Sequence, residues 1–210
     1  MSFLDRIAAA ITPPESEEDR ATARRSAETL AKDGDWLSLA LDHHRRIESC
    51  FGLAANAATA AEKLSAFRQL AMVLNAHAAA EEVILYPALT EHGEKSHATM
   101  AYEEQSLTKV QMAHLEKLDP MSDEWREKLE HIKGAVLHHM YEEEGTWFPE
   151  LRRSIPTGED AMLTRRFGEE FTKFSGGAGR ADSGDQPMQM AAQMDESNRQ
   201  PPRNWGGADY

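Results

Sequence analysis

The strongest constraint on this chain is a duplicated segment. HAAAEEVILYP occupies residues 77–87, and HMYEEEGTWFP, residues 139–149, repeats its skeleton. His77 corresponds to His139, Glu81 to Glu143, Glu82 to Glu144, Tyr86 to Phe148 and Pro87 to Pro149, each pair 62 residues apart. Residues four apart are neighbours on one face of an α-helix, so each copy sets a histidine beside a glutamate. The surroundings are apolar: Leu70, Leu74 and Ile84 flank the first pair, and Ile132, Ala135, Val136 and Trp147 the second. A carboxylate aimed into such a face is costly unless it is paired or bound to a cation. Two of them, converging from two helices, also repel. A metal ion removes both penalties, because it takes the carboxylate ionised and the imidazole neutral. One His-x-x-x-Glu is most often a surface hydrogen bond; two copies in one register, each followed by aromatic–Pro, point to a metal. Glu82 and Glu144 turn about 100° off that face and are expected in solvent or in salt bridges. Pro87 and Pro149 are expected to bend or end their helices.

The rest of the chain reads as helices. Residues 2–11 form a short amphipathic stretch stopped by Pro13 and Pro14, and 16–32 are charged and helix-forming. Asp35 is a plausible N-cap for a helix over 36–56, with Leu37, Leu41, Ile47 and Phe51 at helical spacing. Thr59 and Glu62 make a capping-box pattern ahead of a helix over 60–89, whose inner face carries Leu64, Phe67, Leu70, Leu74 and Leu85. Further helices are expected over 96–118, 123–153 (capped by Ser122) and 159–174. Met72, Met112 and Met140 read as core. No segment alternates as a strand does. The expected fold is therefore all-α: an antiparallel up-down-up-down four-helix bundle over 34–156. An N-terminal helical extension (1–33) precedes it, and a C-terminal helix (157–174) and a tail (175–210) come after it. The tail's last 36 residues hold six Gly and three Pro, so disorder is expected there.

A bundle site needs donors from the other two helices as well. On the first, His44 shares a face with Leu37, Leu41, Ile47 and Phe51 and is expected to point inward, with His43 flanking it. His92, His97, His114 and His131 are expected at the surface or in a second layer.

Charge and cysteine usage bound the setting. The net charge is −13, and no Lys/Arg run is dense enough to follow a phosphate backbone, so no nucleic-acid partner is expected. The one cysteine, Cys50, precludes an intramolecular disulfide and suits a reducing compartment. Without a signal-like N-terminus or a long apolar run, the expectation is a cytoplasmic protein with no membrane partner.

On DHHRRIESCF, HAAAEEVILYPAL, YEEQSLTKVQMAHLEKLDP and HHMYEEEGTWFPEL, over about residues 36–153, the chain resembles the hemerythrin-like, HHE cation-binding family. The resemblance implies two non-haem irons, bridged by two carboxylates and an oxo or hydroxo oxygen. It would make His44, His77 and His139 terminal ligands and Glu81 and Glu143 the bridges. One position departs from the pattern. The family has a histidine about 34 positions before the last helix's His, and here that place holds Gln105. An amide oxygen is a poor iron ligand beside imidazole. Three outcomes are open: an open position on the second metal, an oxygen supplied by Tyr102 or Glu104, or a second metal that is weak or absent.

Three functions are compatible with such a site. The first is binding of dioxygen, peroxide or nitric oxide for sensing, storage or stress protection. The second is an oxidoreductase consuming peroxide or dioxygen at the same site. The third is a metal-poor bundle acting through protein partners by way of 16–32 and the tail.

Overall fold

The computed structural model describes residues 15–93 and 95–176. The stretch 2–11 lies outside the described residues, as does the tail beyond Gly176. Six helices and no strand occur among the described residues: α1 (Glu17–Glu28), α2 (Trp36–Asn56), α3 (Ala60–Glu91), α4 (Lys95–Leu115), α5 (Asp123–Ser154) and α6 (Thr157–Ser175). The fold class is all-α, as the periodicity implies. The caps read from sequence form: Asp35 accepts from the Ser38 N–H, Ser122 from Trp125, and Thr59 with Glu62 closes a reciprocal capping box.

Helices α2 to α5 pack in a ring, each against the next and α5 against α2. Helix α6 lies against α2 and α3, and α1 lies against α2 and α5. The core divides into two apolar clusters. One holds Trp36, Leu37, Leu41, Tyr86, Trp147, Phe148 and Phe167. The other holds Ile47, Phe51, Phe67, Leu70, Trp125, Leu129 and Met140. Each such side chain contributes roughly 1.5–3 kcal/mol on burial. Buried polar residues on α2, α3, α4 and α5 fall between the clusters in sequence: His44 lies between Leu41 and Ile47, and His77 between Leu74 and Ala80. Two local readings are corrected. Ala135 is exposed, and Leu64 is only half-buried.

Helices α3 and α5 are not regular. Each contains one π-helical turn, Glu81–Leu85 and Glu143–Trp147. In these turns the Tyr86 N–H bonds Glu81 O and the Phe148 N–H bonds Glu143 O, five residues back. The cause sits one residue on. Pro87 and Pro149 have no N–H to donate, and in an α-helix their rings would strike the carbonyl four residues back. The wider turn relieves that clash. The prolines therefore neither end nor simply bend these helices, which resume as Tyr86–Glu91 and Phe148–Ser154.

The π turns also re-aim side chains. In an unbroken α-helix, five residues rotate about 500°, leaving residue i+5 about 140° around from i. A π turn holds more residues per revolution. It brings Tyr86 back under Glu81, and Phe148 back under Glu143.

No helix among the described residues is long and apolar enough to cross a membrane.

Candidate metal centre

The duplicated pairs converge. His77 Nε2 lies 3.1 Å from Glu81 Oε1, His44 Nε2 3.3 Å from Glu143 Oε2, and His139 Nε2 3.3 Å from Glu143 Oε1. All five residues are buried, with His44, Glu81 and Glu143 at 0% exposure. One ligand atom each of His44, His77, Glu81 and Glu143 falls within 4.8 Å of every other, a group able to hold a metal ion.

The chemistry of these atoms fits a cation. His44 Nε2, His77 Nε2, Glu81 Oε1 and Glu143 Oε2 are all buried and make no hydrogen bond. Buried polar atoms are nearly always partnered, and four orphans facing one another are better explained by a shared cation than by chance.

Each carboxylate divides its oxygens between two sides. Glu81 Oε1 and Glu143 Oε2 face His77 and His44. Glu81 Oε2 and Glu143 Oε1 face a second set: Tyr86 Oη at 3.2 and 3.0 Å, His139 Nε2 at 3.3 Å from Glu143 Oε1, and Gln105, whose Nε2 donates to Glu81 Oε2 at 2.7 Å. Gln105 Nε2 also donates to Tyr86 Oη at 2.5 Å, and that hydroxyl is 3.1 Å from His139 Nε2.

A further layer fixes the imidazoles. His44 Nδ1 bonds Glu144 Oε1 at 2.7 Å, and His139 Nδ1 bonds Glu104 Oε2 at 2.7 Å. Such carboxylate partners set the tautomer and leave Nε2 free to ligate. Glu144 in turn accepts three hydrogen bonds of 2.8–3.1 Å from Arg24, which also binds Glu48. Arg24 belongs to α1, so the N-terminal extension reaches the histidine through one carboxylate.

The electrostatics reflect crowding in a dry layer. Burial raises the Glu81 carboxyl well above its usual range, and the Glu143 charge raises it further. Burial pushes Glu143 upward too, but the His139 and His44 imidazoles outweigh this and hold it below the carboxylate range. Burial also acts against the charged form of His44, yet the neighbouring Glu143 and Glu144 carboxylates lift it to about 9. Burial and the neighbouring His44 and His43 keep His77 far below its ordinary value, hence neutral.

The flanking candidates resolve differently. His43 does not reach the carboxylates. Its ring stacks on Phe171 at 3.6 Å and on Phe167 at 5.5 Å, both from α6, and stands edge-on to His77. Tyr102 is corrected: it is 38% exposed, its ring packs edge-on against Tyr86, and its hydroxyl donates to Glu82 O at 2.6 Å. Glu104 does not face the centre; it holds His139 from behind, at Nδ1. Glu82 pairs with Lys109 at 2.6 Å, as a salt-bridge reading expects. Glu144 pairs with Arg24 as expected but is 1% exposed and holds His44, which its place in the repeat did not convey. His92 pairs with Glu159, and His97 stacks on Trp147.

Tyr86 is the residue that helical reasoning misses. A five-residue offset from Glu81 places it on the wrong face until the π turn is known. Arg24 and Phe171 carry no motif at all, since their roles depend on how α1 and α6 dock.

Paired His-x-x-x-Glu segments on two helices, two carboxylates with divided oxygens and a helical bundle define a hemerythrin-like protein with a His/Glu cluster able to bind metal. The chain belongs to the family described as hemerythrin HHE cation binding domain, which matches residues 37–151, more than half its length. It is also similar to a protein of Nostoc sp. (strain PCC 7120 / SAG 25.82 / UTEX 2576) named DNA nickase, 27% identical over 101 residues. That match covers 48% of this chain and 29% of the relative, so the chain spans under a third of that protein's length. No solved structure matches the chain significantly.

Proposed function

We propose that the chain is a non-haem iron protein, with two irons between Glu81 and Glu143, that binds dioxygen, peroxide or nitric oxide in sensing, storage or stress protection. His44, His77 and His139 would hold the metals through imidazole nitrogens, and Glu81 and Glu143 through their carboxylate oxygens. Bound iron supplies the redox chemistry. The chain's own residues shape and dry the pocket, and the carboxylates Glu144 and Glu104 hold two imidazoles in the ligating tautomer.

The observation that carries this reading is a cavity of about 20 Å³ beside the centre, room for roughly one water-sized molecule. Its walls include Ile47, Leu74, Met112, Val136 and Met140, and His77, Gln105 and His139 border it. A space of this size suits a diatomic molecule or peroxide. The iron identity rests on the family and on the imidazole–carboxylate donor set, which suits iron but also zinc or manganese. The net charge of −13 speaks against a nucleic-acid partner, so DNA nicking is not carried over from the relative.

The test is to load the full chain with ferrous iron without air and mix it with dioxygen, peroxide and nitric oxide in turn, following the visible spectrum. A stoichiometric spectral change, absent in His77→Ala/His139→Ala, is the expected result. Steady-state peroxide consumption well above that double variant would make the protein an oxidoreductase instead. No spectral response to any of the three would overturn the reading.

A further inference from the structure

We infer that Tyr86 is a ligand of the second metal, taking the place left by Gln105. This rests on the proposed two-iron centre and adds a ligand to it.

The molecule offers an internal comparison. The two copies of the repeat place Tyr86 and Phe148 at equivalent positions, each carried under its glutamate by an identical π turn. On the side of His44 and His77, where both imidazoles are present, the aromatic is Phe148. It has no donor atom, and it stacks on His44 at 6.0 Å. On the side where Gln105 stands in place of an imidazole, the aromatic carries a hydroxyl. The side lacking a histidine is the side that has a phenol.

The hydroxyl is also in the right place. Tyr86 Oη lies 3.2 Å from Glu81 Oε2, 3.0 Å from Glu143 Oε1 and 3.1 Å from His139 Nε2. Adjacent ligands on a metal with bonds of about 2.1 Å are about 3.0 Å apart at right angles, so these hydrogen-bond distances also fit donors sharing one ion. Tyr86 is 0% exposed. A phenol has one proton to give, yet three acceptor-capable atoms surround this oxygen, more than one hydroxyl can satisfy. With a metal bound, Tyr86 would serve as a phenolate donor, its proton passing to solvent. Gln105 then has a role that a histidine would not fill. Its Nε2 donates to both Tyr86 Oη and Glu81 Oε2, fixing the phenolate instead of ligating. With Glu81 and Glu143 shared, the second ion would hold Tyr86, His139 and two carboxylate oxygens.

The experiment uses the full chain loaded anaerobically with ferrous iron and then oxidised, with iron per chain, the visible spectrum and resonance Raman read on one sample. The expected result is about two irons per chain and a broad visible charge-transfer band whose excitation enhances tyrosinate ring modes. Tyr86→Phe is expected to abolish the band and lower iron to about one per chain, and Tyr102→Phe to change neither. Because Tyr86 is buried, the Raman signature of the unmutated protein stands independently of how that variant folds. Two irons without tyrosinate modes, or a band that survives in folded Tyr86→Phe, overturns the assignment while leaving the diiron reading intact. A chain that takes up no iron overturns both.

Discussion

Glu144→Gln is the substitution whose consequence the geometry specifies most closely. Glu144 is 1% exposed and sits between two partners: His44 Nδ1 at 2.7 Å and the Arg24 guanidinium, which gives it three hydrogen bonds. The amide keeps an oxygen that can accept from one of them. It loses the charge, and its NH2 must then face either the guanidinium or His44 Nδ1, both donors when His44 ligates through Nε2. The imidazole is left less basic and less firmly aimed. Losing a carboxylate behind a ligating histidine typically costs 10–100-fold in metal affinity, or about 1.4–2.7 kcal/mol. Glu104 behind His139 offers a graded comparison. Its bond is equally short at 2.7 Å, but its side chain is 31% exposed. Water can replace part of what it supplies, so Glu104→Gln is expected nearer the tenfold end, about 1.4 kcal/mol. The assay is competition for zinc, chosen as redox-silent, against a chelator of known affinity. An affinity for Glu144→Gln within about twofold of the unmutated chain, well short of the usual tenfold loss, would refute the claim that this carboxylate supports a ligand.

Three further outcomes are expected. Stripping metal with a chelator should lower the thermal midpoint, since a ligand at 100 times its dissociation constant stabilises by about 2.7 kcal/mol; scanning calorimetry with and without the metal checks this. Phe51→Ala, in the apolar cluster of Phe67 and Trp125, is expected to cost about 3–5 kcal/mol in urea unfolding with metal per chain unchanged. Asp160 is held below the ordinary carboxylate range: burial opposes this, but Lys32 and Arg152 outweigh it. Its stabilising contribution is therefore present above the unfolded value of about 3.9 and fades as pH falls through the folded value. Asp160→Asn, which can still accept from Trp36 Nε1, is expected to flatten the fall in the urea midpoint below about pH 4, and an unchanged slope would count against it.

How much of this was legible in the sequence depends on the kind of signal. Caps announce themselves locally, and the ends of α2, α3 and α5 at Asp35, Thr59 and Ser122 were readable because one side chain and one N–H define each. The inward faces were readable from the 3.6-residue period, which is why His44 was separable from His43. The convergence of Glu81 and Glu143 was implied by their duplication. What was not legible is whatever breaks the period or arrives from elsewhere. Pro87 and Pro149 signalled an irregularity, but their position does not say whether the helix kinks, stops or widens. Only the widened turn puts Tyr86 in the centre, because on a uniform helix it falls about 140° around from Glu81. Arg24 and Phe171 reach the site from α1 and α6, and no spacing along the chain encodes how those helices dock.

The most direct test of a two-metal centre is an anomalous difference map, at the iron edge, from crystals of the iron-loaded full chain. Two peaks are predicted between Glu81 and Glu143, one against His44 and His77 and the other against His139 and Tyr86. A single peak, or none at these carboxylates, would contradict the proposed centre.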